Sequence, residues 1–270
     1  MTIVMENILR KYQDTFYPVV PFDPAKQSLA SIDLTAANTE LTEEIFNDTE
    51  QFSKYIDQKR KDAKAAYLIG GYNELRAVYG RSELFGKTIP ASPLVEDATP
   101  VTLTIPPGDN PISNTGKVPE KLYSLETPEP RRLHLGIDVW GPAGTPIFAA
   151  MGGMIHSFAF NNHFGDYGAT LILLHQLDGF PFYTLYGHLC LKDIEHVSTG
   201  QYVNRGQRIA HFGLPHENGH WPPHLHFQLI LDLGLYDGDY PGVCKYSERE
   251  YYLNNCPDPD IILRMNRYLD

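Results

Sequence analysis

The sequence predicts a mainly β protein, α+β overall, in which an antiparallel β-sheet core follows an N-terminal helical accessory region. Two observations predict this fold class. After residue 131 the chain consists of short runs of alternating apolar and polar residues, separated by turns rich in glycine and proline. Apolar residues at helical spacing occur earlier, in residues 38–69. A chain of 270 residues can form one large domain with a small accessory piece.

The N-terminal part divides into an arm and two helices. Residues 1–37 mix prolines with aromatic residues without a clear period, so we expect an extended arm that packs on something larger. The spacing predicts helices over residues 40–47 and 49–69, the second capped by Asp48 and ended by the glycines at 70–71. We expect the apolar stripe of these helices to pack on the core.

The remaining elements follow in order along the chain. We predict four parts, namely an arm and helical accessory region, a proline-rich connector, a β-sheet core and a C-terminal tail packed on that core, at residues 1–87, 88–130, 131–233 and 234–270. The core is predicted to hold strands near residues 133–140, 147–150, 152–160, 169–175, 182–189 and 224–231. We also expect a strand at 101–105 and a final helix at 261–269.

Composition narrows the choice of partners and compartment. The net charge of −11 disfavours nucleic acid or an anionic membrane as the main partner. The three cysteines are an odd number at wide spacing, which is typical of free thiols rather than a disulfide framework. No secretory leader and no apolar run of transmembrane length are visible. We therefore expect a cytoplasmic protein, with a periplasmic or extracellular one still open.

The residues that could bind a metal or take part in catalysis are concentrated in two predicted strands, each with histidine on one face. In residues 224–231 the apolar side chains alternate with His224, His226 and Gln228, so two imidazoles leave the same side of one strand. In residues 133–140 the same alternation places His134 and Asp138 on one side, with Gly136 between them, which lets the strand curl and leaves space over which a metal can sit. Neutral imidazole is the commonest zinc ligand, so these residues indicate a metal site.

A third segment makes the pattern specific. His134-x-x-x-Asp138, then Tyr-Gly-His188-Leu, then Pro-His224-Leu-His226-Phe, in this order, resembles the lysostaphin-like zinc metalloendopeptidases (the LytM type) that cut peptide bonds in bacterial peptidoglycan. This resemblance covers residues 131 to about 232. It implies one Zn²⁺ per chain, a peptidoglycan or muropeptide stem peptide as substrate, and the duplicated hybrid motif type of β-sheet core.

The same resemblance assigns roles to five residues. His134, Asp138 and His226 become the zinc ligands, and His188 and His224 become the catalytic pair. Two imidazoles and one carboxylate suit a catalytic zinc site, which keeps one position open for water. In this chain Cys190 stands where a serine commonly follows His-Leu.

Other residues and other functions stay open at this stage. Tyr186, Trp221 and His220 are expected to line the substrate groove. Alternation along the strand places Tyr186 on the same face as His188, and Trp221 and His220 lie beside the other histidine motif. One alternative function is a catalytically silent zinc-binding or partner-regulating module, which would typically have lost one of the five residues. Another is a cytoplasmic hydrolase of a small amide or muropeptide, which the absence of a visible leader favours.

Overall fold

A computed structural model of the chain describes residues 2–86 and 128–269 and contains six α-helices and twelve strands within them. The helices are α1 (Thr2–Tyr12), α2 (Glu43–Asn47), α3 (Thr49–Asp62), α4 (Leu191–Ile194), α5 (Arg249–Asn255) and α6 (Asp260–Leu263). The strands are β1 (Leu29–Ile32), β2 (Tyr67–Gly70), β3 (Leu133–His134), β4 (Ile137–Trp140), β5 (Pro146–Phe148), β6 (Gly153–Asn161), β7 (Gly168–Leu177), β8 (Phe180–Leu189), β9 (Tyr202–Val203), β10 (Arg208–His211), β11 (His224–Ile230) and β12 (Val243–Cys244). The fold is therefore mainly β, as predicted.

One eight-stranded sheet dominates the molecule, in the order β1-β2-β4-β11-β8-β7-β6-β9. Every neighbouring pair is antiparallel except β1 and β2, which are parallel. The predicted antiparallel core is confirmed, and the N-terminal region extends it through the β2–β4 pair into a mixed sheet. Two small two-stranded sheets, β10–β5 and β12–β3, complete the β structure of the described residues.

The register of strand β11 sets the two faces of the sheet. His226 lies opposite Asp138 on β4, and His224 lies opposite Trp140. Because side chains alternate along a strand, these four residues share one face. The intervening Leu225 and Phe227 belong to the largest apolar cluster, on the other face. The alternation predicted for this strand is therefore confirmed.

The face of the sheet that carries His224, His226, Asp138 and Trp140, called the chemical face below, is covered by two smaller apolar clusters. One contains Phe52 of α3 together with Trp140 and Trp221, and the other contains Leu133, Leu135, Tyr167, Ile172, Leu185, Ile230, Leu233 and Tyr240. The α3 helix thus packs on the core, as its apolar stripe predicts. Among the described residues no helix is both long and apolar enough to cross a membrane.

Three predicted elements differ from the structure. Residues 2–12 form helix α1 rather than part of an extended arm, and Met5 and Leu9, one helical turn apart, are its buried residues. The helix predicted to reach residue 69 ends at Asp62, close to Lys64 in the left-handed region (φ 51°). The following apolar run forms β2, since a short buried run suits a strand as well as a helix.

The last predicted helix is shorter than expected, and one predicted strand cannot be compared. Helix α6 covers Asp260–Leu263 and ends at Arg264, which has a left-handed backbone (φ 53°). A 3₁₀ turn at Asn266–Tyr268 follows it. The strand predicted at 101–105 lies outside the described residues. The four-part division of the chain stays a prediction.

The packing of α3 on the sheet gives a stability prediction. Phe52 is fully buried, and its ring lies 6.1 Å from Trp140 and 6.3 Å from Trp221 between centroids. We expect Phe52→Ala to lower the free energy of unfolding by about 3–5 kcal/mol, because a large ring leaves a cavity. Urea unfolding measures this loss. Phe160→Ala, at a side chain 37% exposed, is the matched control and should cost far less. An equal loss in the two variants would contradict this packing.

Candidate metal centre and active site

The three predicted metal ligands meet on the chemical face of the sheet. His134 Nε2 lies 2.9 Å from His226 Nδ1 and 3.2 Å from Asp138 Oδ1, and His226 Nδ1 lies 3.0 Å from the same oxygen. All three side chains are buried. Within the described part of the chain, this is the one group of three histidine, cysteine or acidic residues whose ligand atoms can surround a single ion.

A break in the strand brings His134 to Asp138. On an uninterrupted strand these residues would be about 13 Å apart. Instead the strand stops after His134 and restarts at Ile137, so that β3 and β4 join different sheets. Gly136 lies in the break, where a Cβ would come within 2.5 Å of the His226 ring and 2.8 Å of the Phe227 carbonyl oxygen. The glycine therefore leaves room for a ligand ring, whereas we expected it to leave room for the metal itself.

The outer partners fix which nitrogen of each ring faces the cluster. His134 Nδ1 lies 2.8 Å from the Gly71 carbonyl oxygen, so it carries the proton and Nε2 presents a lone pair. His226 Nε2 lies 2.9 Å from Gln228 Oε1 and carries the proton for the same reason, which leaves Nδ1 as the lone pair. The Gln228 amide is oriented by its NH₂ group, which donates to the Pro241 carbonyl.

The donor set fits a divalent cation. Two nitrogen lone pairs and a carboxylate oxygen converge at about 3 Å, and each ring proton is already used elsewhere. Burial, and then the neighbouring Arg76, lower the pKa of His134 to about 4, so this ring does not supply an extra proton at neutral pH. The pKa of Asp138 lies well below its usual value despite burial, and the charged Arg76 guanidinium is a neighbour that stabilises the carboxylate. Converging acceptors of this kind need a cation between them.

The two predicted catalytic histidines lie next to each other beside this cluster. Their ring centroids are 4.1 Å apart. His224 stacks on Trp140 at 3.8 Å, and its Nδ1 donates to the Pro222 carbonyl (2.7 Å). His188 Nδ1 donates to the Asn218 carbonyl (2.8 Å). In both rings Nε2 is therefore free to accept a proton.

Burial keeps the rings of His188 and His224 neutral. It lowers the pKa of His224 to about 4. It also lowers the pKa of His188 well below the ordinary value, and the neighbouring His224 and His226 lower it further. At neutral pH both residues thus present unprotonated nitrogens, the form that a general base requires.

His188 reaches the site through an irregularity in strand β8. Its backbone is in the left-handed region (φ 64°), which is uncommon for a residue other than glycine. The pairing with β7 shifts here, with Tyr186 opposite Leu171 and Leu189 opposite Ala169, so β8 contains an extra residue. Tyr186 and Leu189 both enter the large core cluster, while His188 lines the cavity on the other face.

Two of the three predicted groove residues are not placed in the groove. Tyr186 is fully buried in the core on the opposite face, because the face assignment assumed an uninterrupted strand through Gly187. His220 does not line the cavity and stacks on Phe164 at 5.5 Å. Trp221 does line it.

A cavity of about 290 Å³ opens over the cluster and is bounded by three parts of the chain. Next to the site it is lined by Arg76, Tyr79, Asp138, Trp140, Tyr167, His188, Trp221, His224 and His226. It is also lined by Val78, Leu84, Phe85, Arg131, Gly165, Asp166, Tyr236, Asp239, Tyr240, Pro241, Gly242 and Val243. Segments before and after the central core therefore shape the space above the metal centre.

Sequence patterns did not point to several residues at the site. Arg76 bonds Asp138 across 62 positions of sequence, and no local pattern points to it. Tyr79 and Tyr167 bring hydroxyl groups into the cavity, and burial raises the pKa of each well above its usual value, so both stay protonated. Gln228 had a signal, because it lies two residues after His226 on the same strand face.

Comparison with known proteins agrees with this site. Residues 132–236 match peptidase family M23. The resemblance to the lysostaphin-like peptidases is thereby confirmed for this domain. The family consists of zinc-dependent peptidases, so together with the donor cluster it confirms zinc as the cofactor. The individual roles of the five residues stay predictions.

Two curated relatives match parts of the chain. An uncharacterized lipoprotein, YgeR, from Escherichia coli (strain K12) is 37% identical over 78 residues, which is 29% of this chain and 28% of that protein. An L-Ala–D-Glu endopeptidase from Bacillus subtilis (strain 168) is 27% identical over 129 residues, 45% of this chain and 37% of that protein. The chain thus spans about a third of the length of these relatives.

Among solved structures, a zinc-containing peptidase from Vibrio cholerae is 31% identical to this chain. The alignment covers 36% of this chain and 27% of that one, with a TM-score of 0.30.

The glycine beneath the His226 ring gives a test of this geometry. We expect Gly136→Ala to displace the ring, because the new methyl group would meet both the ring and a backbone oxygen. Zinc affinity should fall at least 10-fold, as measured by competition with a chromophoric chelator. Gly80→Ala is the control, since a Cβ there meets nothing closer than 3.7 Å. Unchanged zinc affinity in Gly136→Ala would refute the described placement of His226.

Proposed function

We propose that the protein is a zinc-dependent endopeptidase that hydrolyses a peptide bond in peptidoglycan or in a muropeptide-like fragment of it. The observation that carries this proposal is the convergence of His134, Asp138 and His226 beside an adjacent pair of neutral histidines. The family match over residues 132–236 supports a peptidase, and the L-Ala–D-Glu endopeptidase relative supports a cell-wall peptide as the substrate.

The three ligands favour zinc over other metals. Two imidazoles with one carboxylate and no thiolate suit Zn²⁺ at a hydrolytic site, with one coordination position left for water or substrate. When bound, zinc polarises the scissile carbonyl and lowers the pKa of water towards neutrality. His134, Asp138 and His226 supply a total charge of −1, so the loaded site keeps a net positive charge of about +1.

His224 serves as the general base in this proposal. Its free Nε2 faces the cavity, and the stack on Trp140 together with the bond to the Pro222 carbonyl fixes the ring direction. It takes the proton of the attacking water and returns it to the leaving amine. Loss of such a group typically costs on the order of 10²–10⁴ in rate.

His188 and His224 together take up only one proton during the reaction, so the two rings are never positively charged at the same time. The two rings lie 4.1 Å apart in a buried site, where two positive charges would repel strongly. His188 can donate to the developing oxyanion only when it carries the proton, because its Nδ1–H is committed to the Asn218 carbonyl. The hydroxyl group of Tyr79 in the same cavity is a donor that stays protonated throughout.

The size of the cavity favours a short substrate. About 290 Å³ lies at the lower end of the range for small-molecule sites and accommodates a short stretch of peptide around the scissile bond. The N-terminal segment near Phe85 and the C-terminal segment near Tyr240 both line it. A site of this size fits a soluble muropeptide, which is the substrate of the alternative small-amide hydrolase. It fits a short stretch of stem peptide within the polymer equally well.

A pair of substitutions on one strand tests the assigned roles. His226→Ala removes a ligand, so zinc content and activity should be lost together. His224→Ala should keep about one zinc per chain while the rate falls by on the order of 10²–10⁴. Metal analysis and turnover on the same preparations measure both effects, and chelation of the wild type should abolish activity until zinc is restored.

His156→Ala is the matched control for these substitutions, because this histidine lies on β6 away from the cavity and its ring forms a hydrogen bond with Ser157. It should keep both zinc and activity. If His224→Ala loses zinc as readily as His226→Ala, then His224 is a ligand and the catalytically silent module becomes the better description.

Digestion of purified peptidoglycan and of soluble muropeptides, analysed by mass spectrometry, identifies the bond and the substrate form. Products from soluble muropeptides alone would assign the smaller substrate. The absence of products from either would count against the endopeptidase.

A further inference from the structure

The turn after strand β2, in residues 71–76, reaches the metal centre from outside the matched family domain. The Gly71 carbonyl oxygen accepts the proton of His134 Nδ1, and the Arg76 guanidinium bonds Asp138. Two of the three predicted ligands therefore have their outer partner in this turn. The family match begins only at residue 132. The turn is thus a contribution of this chain's own N-terminal region to the site.

Arg76 is held in a fixed position by four different groups. Nε donates to Glu74 Oε2 at 2.8 Å, and Nη2 donates to the Gly71 carbonyl at 3.1 Å. Nη1 donates to Asp138 Oδ2 and lies 3.3 Å from the Tyr79 hydroxyl. The Arg76 side chain is only 1% exposed. A guanidinium with a fixed fork of donors can meet all of these acceptors at once, which a lysine ammonium cannot.

These contacts give the two carboxylate oxygens of Asp138 different partners. Oδ1 faces the histidine lone pairs, at 3.2 Å from His134 and 3.0 Å from His226. Oδ2 is turned to Arg76. A carboxylate with both oxygens free can bind a metal through one oxygen or through both. Binding through both would fill an additional coordination position.

We propose that Arg76 is a positioning residue that holds Asp138 as a one-oxygen ligand and so keeps a coordination position open for water or substrate. The inference rests on the proposed metal site. The Glu74 carboxylate forms an ion pair with Arg76, so the buried guanidinium charge stays balanced when Asp138 gives its own charge to the metal. The N-terminal region is then part of the active site rather than an accessory to it.

Cobalt substitution provides the test, because Co²⁺ replaces Zn²⁺ and absorbs visible light more strongly in four-coordinate than in five-coordinate sites. In Arg76→Gln the second oxygen of Asp138 is released. We expect Co²⁺ still to bind but to absorb more weakly, as a site of higher coordination number does. For the zinc enzyme we expect kcat to fall 10- to 100-fold with a smaller change in KM.

Two further variants separate positioning from general damage. Arg76→Lys keeps a positive donor for Oδ2 and should retain the wild-type Co²⁺ spectrum with part of the activity. Arg81→Gln is the matched control. Arg81 is also buried and comes from the same segment. Its guanidinium carbon, however, lies 4.8 Å from the ring centroids of both Phe164 and Trp221, and its Nη2 donates to the Thr49 hydroxyl. Its Co²⁺ spectrum should match that of the wild type.

A wild-type spectrum and kcat in Arg76→Gln would overturn the proposal. If that variant does not fold, X-ray absorption on the zinc-loaded wild type decides instead, since one carboxylate oxygen is expected at the metal and two would overturn it. A wild type that binds Co²⁺ but cleaves no substrate refutes the proposed function alone, and the spectra still test Arg76. A wild type that takes up neither metal refutes both.

Discussion

The structure depends on three electron-pair donors that face one another in a buried space. His134 and His226 each use their ring proton on an outer acceptor, the Gly71 carbonyl and the Gln228 amide oxygen. Without a cation this arrangement would be repulsive, and in a low-dielectric interior such repulsion is costly. The surrounding hydrogen bonds therefore prepare the site for a metal before the metal arrives, and the fold has to supply the rigidity that holds them.

That rigidity comes from the sheet, but the geometry comes from two places where the sheet is irregular. Strands β3 and β4 are separated by a break at Gly136, which turns His134 towards Asp138 and leaves space for a ring. Strand β8 carries an extra residue, which turns His188 out of the core. Regular strands alone would have put the first pair too far apart and His188 on the wrong face. Backbone irregularities at functional sites are common for this reason.

Much of the fold and of the site could be predicted from the sequence, because both depend on period-two alternation. His224 and His226 were placed on one face by their spacing, and the register with β4 agrees with that placement. The error at Tyr186 arose from the same rule, applied through a strand that contains an extra residue. Gly187 was the available warning, since glycine within a strand often marks a bulge. Arg76 could not be predicted, because a contact between residues 62 positions apart leaves no local pattern.

The relation between the N-terminal region and the core follows from the sheet order. Strand β2 pairs directly with β4, and Gly70 lies opposite Asp138 in that pairing. A Cβ at Gly70 would come within 2.7 Å of the Arg76 guanidinium and 3.1 Å of the Trp140 indole nitrogen, so this glycine leaves the space that the Arg76 side chain occupies beside Asp138. The turn that carries Gly71 and Arg76 follows directly on β2, and its own backbone forms hydrogen bonds with Arg132 and His134. A region joined to the core in this way cannot move away from the metal centre without breaking the pairing of β2 with β4.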